Sequence, residues 1–107
     1  MPRVRQHLEN FFTSPALVVA YPWVEPSDYG RARTLMTDGD LWPHDYDVWR
    51  REAERAMQSL ASEGVSPVKA TLDLEEFSAW CRMNDCAADS TARLAFAEIV
   101  ALEEEIA

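Results

Sequence analysis

Two short apolar runs separate several segments of helical periodicity in this sequence. Residues 16–21 are apolar and rich in β-branched side chains without alternation, which is typical of a strand covered on both faces. Residues 68–72 alternate apolar and polar side chains, which predicts a second strand with one covered face. One helical pattern precedes the first strand and two follow each strand, so the predicted order is α-β-α-α-β-α-α.

A short amphipathic helix is predicted before the first strand. Val4, Leu8 and Phe11 recur at helical spacing within residues 3–12. After the first strand, two prolines predict an extended loop over residues 22–26. The N-terminal half therefore begins with a helix, a strand and a loop.

Capping residues set the limits of the other predicted helices. Ser27 is the predicted N-cap of a helix that ends near residue 37. Asp45 begins a long helix, and Gly64 ends it in the left-handed conformation that glycine favours. Asp73 and Asp89 are the predicted N-caps of the last two helices.

These elements fit one helix-rich α/β domain over residues 1–107, with a small two-stranded sheet packed by helices. Strand–helix–helix occurs twice, which suggests a βαα pseudo-repeat in topology. A two-stranded sheet leaves two outer edges, and an open apolar edge is a liability in water. Either helices cover these edges within one chain, or a second copy or a partner's strand completes the sheet. We expect a homodimer whose interface lies within residues 16–60.

The net charge of −9 is concentrated in the second half of the chain. Residues 61–107 contain ten acidic and three basic residues, whereas residues 1–60 contain nine and seven. An acidic field repels phosphate backbones, so we expect a basic protein as partner and no direct binding of nucleic acid. No apolar stretch has the length of a membrane span, and two cysteines form no disulfide framework, so we expect a cytoplasmic protein.

The chain lacks the glycine-rich, nucleophile and paired-cysteine motifs of familiar enzyme classes, and we expect no cofactor. Asp38, Asp40 and His44 belong to its densest polar cluster, and such oxygen and imidazole donors suit a divalent cation. Turn and cap roles explain the carboxylates more simply, so the sequence predicts no metal site. A small metal-dependent enzyme that uses these three residues is the alternative.

Two surfaces are candidates for binding a partner. Tryptophan and arginine are among the residue types most enriched in interaction hot spots, although loop tryptophans also fold back over the core. The first surface combines loop tryptophans with arginines of adjoining helices: Trp23, Trp42, Arg31, Arg33 and Arg50. The second consists of glutamates of the C-terminal half: Glu75, Glu76, Glu103, Glu104 and Glu105.

From these features we expect a small, acidic, non-enzymatic protein-binding or inhibitory module. In its inhibitory form, the module would mask the basic, nucleic-acid-binding surface of a partner protein. A structural subunit of a larger complex is a further alternative.

Overall fold

The computed structural model describes residues 17–106, and side chains are described as far as residue 104. The predicted helix over residues 3–12 lies outside this range. Strands β1 (Val18–Trp23) and β2 (Ser66–Thr71) form a parallel two-stranded sheet. Four helices accompany the sheet: α1 (Tyr29–Leu35), α2 (Tyr46–Ser62), α3 (Leu74–Met83) and α4 (Ser90–Ile106). The fold is therefore helix-rich α/β, as predicted, and strand–helix–helix occurs twice in the described chain.

Strand β1 continues through Pro22 and Trp23, so the predicted loop over residues 22–26 is wrong in its first half. The N–H groups of Ser66 and Leu72 donate to the carbonyls of Leu17 and Trp23, at 2.8 and 2.9 Å. Because alternate residues of a parallel strand face its partner, Pro22 faces the outer edge of the sheet. A residue at this position has no partner strand for its N–H. Proline, which has no N–H, therefore costs the sheet no hydrogen bond and is compatible with the strand.

Small side chains allow α4 to approach one face of the sheet closely. Ala20, Ala70 and Ala97 are buried together where α4 crosses the two strands. On the opposite face, Trp23 contacts Trp49 of α2, with ring centroids 5.1 Å apart. Helices thus pack on both faces of the sheet, α4 across the two strands and α2 at the end of β1.

The larger core cluster lies at the carboxyl ends of the strands. Val24 and Leu72, which follow β1 and β2, are buried there with Phe77 of α3 and Phe96 of α4. The apolar faces of α3 and α4 meet in this cluster, as their helical periodicity predicts. No helix in the described part of the chain is long and apolar enough to cross a membrane.

Aspartate caps begin the three longest helices, as predicted. The Asp45 carboxylate accepts the N–H of Asp47 at 3.0 Å, and Asp73 caps α3 through two backbone N–H groups. Asp89 accepts the N–H of Ala92 at 3.0 Å and caps α4. Gly64 has φ 85° and ends α2, which confirms its predicted left-handed role.

Helix α1 is shorter than predicted, and Ser27 is not its N-cap. Residues 26–28 form a 3₁₀ turn before α1, and a second 3₁₀ turn, Gly39–Leu41, follows it. The second turn packs onto the end of α1 so closely that a Cβ at Gly39 would lie 1.8 Å from the Arg33 carbonyl oxygen. The chain therefore folds back at residues 36–39 instead of continuing the helix.

Candidate functional site

Five aromatic side chains pack between β1, α1 and α2: Trp23, Tyr29, Trp42, Tyr46 and Trp49. The Tyr29 ring stacks on Trp42 at a centroid distance of 5.9 Å and meets Tyr46 edge-on at 5.3 Å. The Tyr46 hydroxyl donates to the Val24 carbonyl at 2.9 Å, and the Tyr29 hydroxyl donates to the Pro43 carbonyl. These bonds satisfy both phenols and fix the segment that carries Trp42.

A cavity of about 230 Å³ opens at the carboxyl ends of the two strands, beside the first turn of α4. This is the end of a parallel sheet at which α/β proteins bind ligands. Its lining residues are Tyr21, Pro22, Val24, Trp42, Trp49, Leu72, Ser90, Arg93 and Leu94. Pockets for drug-sized ligands measure roughly 300–1,000 Å³, so this volume suits one large side chain better than a cofactor.

Arg93 forms one wall of this pocket and is held there by Asp38. Its Nη1 and Nη2 donate to the two carboxylate oxygens at 2.7 and 2.8 Å, and only 13% of its side chain is exposed. The guanidinium lies 5.1 Å from the centroid of the Trp42 ring. Hydrogen bonding from Arg93 holds the pKa of Asp38 below its ordinary value. Because the carboxylate neutralises the guanidinium, the pair offers a ligand little net charge.

Tyr21 and Ser90 supply the hydroxyl groups of the pocket. Burial raises the pKa of Tyr21, and nearby Arg93 opposes that effect only in part. The phenol therefore stays protonated at neutral pH and can donate or accept a hydrogen bond. Leu94 lies at the rim with half of its surface exposed. The aromatic rings, apolar side chains and two hydroxyls of this lining favour the binding of an apolar group with a polar edge.

The structure separates the members of the predicted tryptophan and arginine surface. Trp23 is 5% exposed and is covered by Lys69, whose Nζ lies 4.0 Å from the ring centroid. Trp23 therefore belongs to the core, packed against Trp49, and its ring is not accessible to a partner as predicted. Trp42 is half-buried and lines the pocket. Arg50 pairs with Glu54 on α2 at 2.6 Å, away from the pocket lining.

A larger, shallow groove of about 740 Å³ lies between α1 and α3. It brings together Arg31 and Glu75, one residue from each predicted binding surface, at 3.7 Å. Arg82, also in its lining, donates to Ser78 at 3.0 Å. The polar side chains of this groove bond to one another, and the groove is open to solvent. The smaller cavity lined by Trp42 and Trp49, called the aromatic pocket below, is therefore the better candidate.

The glutamates of the second predicted surface are exposed where they are described. Glu76 follows Glu75 in the first turn of α3, and Glu103 and Glu104 lie near the end of α4. The side chain of Glu105 lies outside the described residues. No described basic residue forms a salt bridge with Glu76, Glu103 or Glu104.

The predicted alternative of a metal site finds no convergent ligands in residues 17–104. The Asp38 carboxylate is occupied by Arg93, and His44 Nδ1 lies 3.2 Å from Nη1 of Arg33. Asp40 is exposed to solvent. Within this range, no group of three or more His, Cys, Asp or Glu side chains is arranged to hold a metal ion.

Sequence reasoning missed Tyr21, Trp49, Arg93 and Leu94 as pocket residues. Of these four residues, only Arg93 has a feature in the sequence that could have indicated its role. It lies in the first turn of α4, where a positive charge opposes the helix dipole. Such an unfavourable placement indicates a partner elsewhere in the fold, here Asp38, at a separation of 55 residues.

Comparison with protein-family models, with curated proteins and with solved structures finds no match for this chain.

Proposed function

We propose that this chain is a non-enzymatic module that binds a basic partner protein and seats one large apolar side chain of that partner in the aromatic pocket. The observation that supports this is the grouping of Trp42, Trp49 and Arg93 around a cavity of about one side chain in volume. Interaction hot spots are enriched in tryptophan, tyrosine and arginine, and they are typically small pockets from which water is excluded. A preformed pocket of this kind lowers the cost of ordering side chains on binding.

The charge distribution supports a basic partner. Only three basic residues accompany ten acidic ones in residues 61–107, and Arg93 is already paired with Asp38. Exposed carboxylates on α3 and α4 therefore produce a negative field that accelerates association with a cationic surface. The inhibitory form of the proposal identifies that surface as one that binds nucleic acid, which the module would occupy in its place.

Two matched variants on α4 test the pocket. Leu94 lies at its rim, whereas Leu102 lies about two turns further along the same helix and outside it, with 58% of its surface exposed. A partner captured at low salt is identified by mass spectrometry, and its affinity for each variant is measured by calorimetry. Leu94→Glu is expected to weaken binding at least about tenfold, or 1.4 kcal/mol, and Leu102→Glu to leave it unchanged. Equal affinities for the two variants would contradict the pocket as the contact.

The inhibitory form has a separate test. Once the partner is known, its binding to a labelled oligonucleotide is measured with and without the module. Competition between the two supports the inhibitory form. If the partner binds the oligonucleotide and the module at the same time, the inhibitory form is contradicted and only the binding function remains.

A further inference from the structure

Helices α2 and α3 end in the same backbone motif. At the end of α2, Val65 N–H donates to Leu60 O at 3.0 Å, and Gly64 N–H donates to Ala61 O at 3.1 Å. Together with the positive φ of Gly64, these two bonds define a Schellman motif. In this motif the residue after the left-handed position commonly packs against the residue five positions before it, and these positions are held here by Val65 and Leu60.

The end of α3 repeats this motif with two cysteines at the contacting positions. Cys86 N–H donates to Cys81 O at 3.0 Å, and Asp85 N–H donates to Arg82 O at 3.3 Å. Asp85 has φ 51° and is the one non-glycine residue with positive φ in the described chain. Aspartate tolerates this conformation better than most residues do. The turn therefore brings the Cys81 and Cys86 side chains together where α2 has Leu60 and Val65.

The two thiols differ in their access to solvent. Cys81 is 5% exposed and belongs to the main core cluster, whereas Cys86 is exposed. Burial raises the pKa of Cys81 to about 11, and the adjacent Cys86 side chain contributes to that rise. An oxidant in solution therefore meets Cys86 first, because the thiolate is the reactive form and Cys81 is mostly protonated at neutral pH.

We propose that Cys81 and Cys86 are a redox modification site that forms a reversible intrachain disulfide with a low-molecular-weight disulfide as oxidant. The Cys86 thiolate attacks one sulfur of the oxidant, forms a mixed disulfide and expels one small thiolate. Cys81 then loses its proton, attacks Cys86 Sγ and expels the second small thiolate. Two protein thiols are oxidised by two electrons, and one small disulfide is reduced to two thiols.

The backbone geometry permits this bond. The Cys86 N–H donates to the Cys81 carbonyl at 3.0 Å, and the two side chains lie within hydrogen-bonding reach of each other, which is the proximity that a disulfide requires. The bond would fix the connection between α3 and α4. Ala88 of this connection accepts the backbone N–H of Thr37 at 2.9 Å, next to Asp38. The proposal is independent of the proposed binding function.

Intact-mass spectrometry after incubation with oxidised glutathione tests the proposal. The wild-type protein is expected to lose the mass of two hydrogen atoms without a lasting adduct and to recover it with a reductant. Trypsin cleaves after Arg82, between the cysteines, so the disulfide should join two peptides that are otherwise separate. Absence of that linked peptide, or a stable glutathionyl adduct on the wild-type chain, would overturn the proposal.

Two variants assign the roles of the thiols. Cys81→Ser should retain one glutathionyl adduct, and Cys86→Ser should stay unmodified while folded, as checked by circular dichroism. In the wild type, the transient adduct should disappear about tenfold faster for each pH unit gained below the pKa of Cys81. Modification of folded Cys86→Ser as fast as of the wild type would contradict Cys86 as the entry thiol. If Cys81→Ser does not fold, the pH dependence in the wild type decides, and a pH-independent rate would contradict Cys81 as the resolving thiol.

Discussion

Asp38 and Arg93 join the turn after α1 to the first turn of α4 through two parallel hydrogen bonds of 2.7 and 2.8 Å. The pair spans 55 residues and also positions the guanidinium beside Trp42. Bidentate pairs of this kind fix geometry as well as adding stability. We therefore expect Asp38→Asn to lower the free energy of unfolding by about 2–3 kcal/mol, measured by urea denaturation. Asp40→Asn, at an exposed neighbouring site, is the matched control and should change little.

The same carboxylate predicts an acid dependence of stability. Its pKa is lowered in the folded protein from an ordinary value of 3.8, so its contribution is present above that value and is lost as pH falls through the folded pKa. The difference in Tm between wild type and Asp38→Asn should be constant above about pH 5 and narrow below about pH 4. A difference that stays constant down to pH 2 would show that the charge of Asp38 contributes nothing.

Gly39 and Gly30 form a second matched pair of sites. A Cβ at Gly39 would lie 1.8 Å from a backbone oxygen, whereas nothing lies within 4 Å of a Cβ at Gly30 in α1. Gly39→Ala is expected to destabilise the fold by at least about 2 kcal/mol, because a backbone segment must move. Gly30→Ala should stabilise it by up to about 1 kcal/mol, because alanine favours a helix. Thermal unfolding of both variants decides, and similar Tm shifts would contradict the close approach.

Local signals predicted the starts of α2, α3 and α4 and the end of α2, whereas the limits of α1 and the long-range contacts escaped prediction. Asp45, Asp73, Asp89 and Gly64 act within four residues of their own positions, so their roles could be predicted from the sequence. The Pro22 error shows the limit of such signals. A proline disrupts a strand when its nitrogen faces the partner strand, and it is tolerated when its nitrogen faces the outer edge. Which of the two holds for Pro22 depends on the register with β2, where its partner Ala70 lies 48 residues away.

The pocket escaped prediction for a related reason. Its walls come from β1, the turn after α1, α2 and α4, which no sequence pattern brings together. Trp42 is a candidate for partner binding by its residue type, but a tryptophan in a loop can also fold back over the core. The position of Trp23 in the core depends on the continuation of β1, which the sequence did not indicate.

Substitutions in the main core should be the most destabilising of single changes. Phe96 is buried, with its ring 5.4 Å from Phe77 and 5.6 Å from the half-buried Trp80. Phe96→Ala and Trp80→Ala are each expected to cost about 3–5 kcal/mol, a large share of the stability of a small domain. Met83→Ala, at an exposed site, should change stability by less than about 0.5 kcal/mol. If calorimetry gives all three variants a Tm within a few degrees of the wild-type value, this assignment of the core is contradicted.

Charge reversal tests the acidic surface independently of the pocket. The residues to be changed to lysine are Glu75, Glu76, Glu103, Glu104 and Glu105. The fold should survive, because exposed charges contribute little to stability, as circular dichroism can verify. Partner affinity should fall and lose its dependence on salt concentration, since the attraction being removed is electrostatic. Unchanged affinity and salt dependence would assign binding to the aromatic pocket alone.

The outer edge of β1 leads to the prediction of a homodimer with an interface within residues 16–60. Val18 and Ala20 face this edge together with Pro22, because the intervening residues bond to β2. Residues 17–24 contain no charge, and half of the Val18 surface is exposed. A two-fold contact between two β1 strands would pair the open N–H and C=O groups.

Light scattering at micromolar concentrations measures this association directly. We expect a mass twice that of the chain for the wild type. Val18→Lys should give the mass of one chain, because a lysine beside the edge would be buried against its own copy. Val68→Lys makes the same change in β2 and should leave the dimer intact. A wild-type mass of one chain that does not change with concentration would show that the edge is covered within a single molecule.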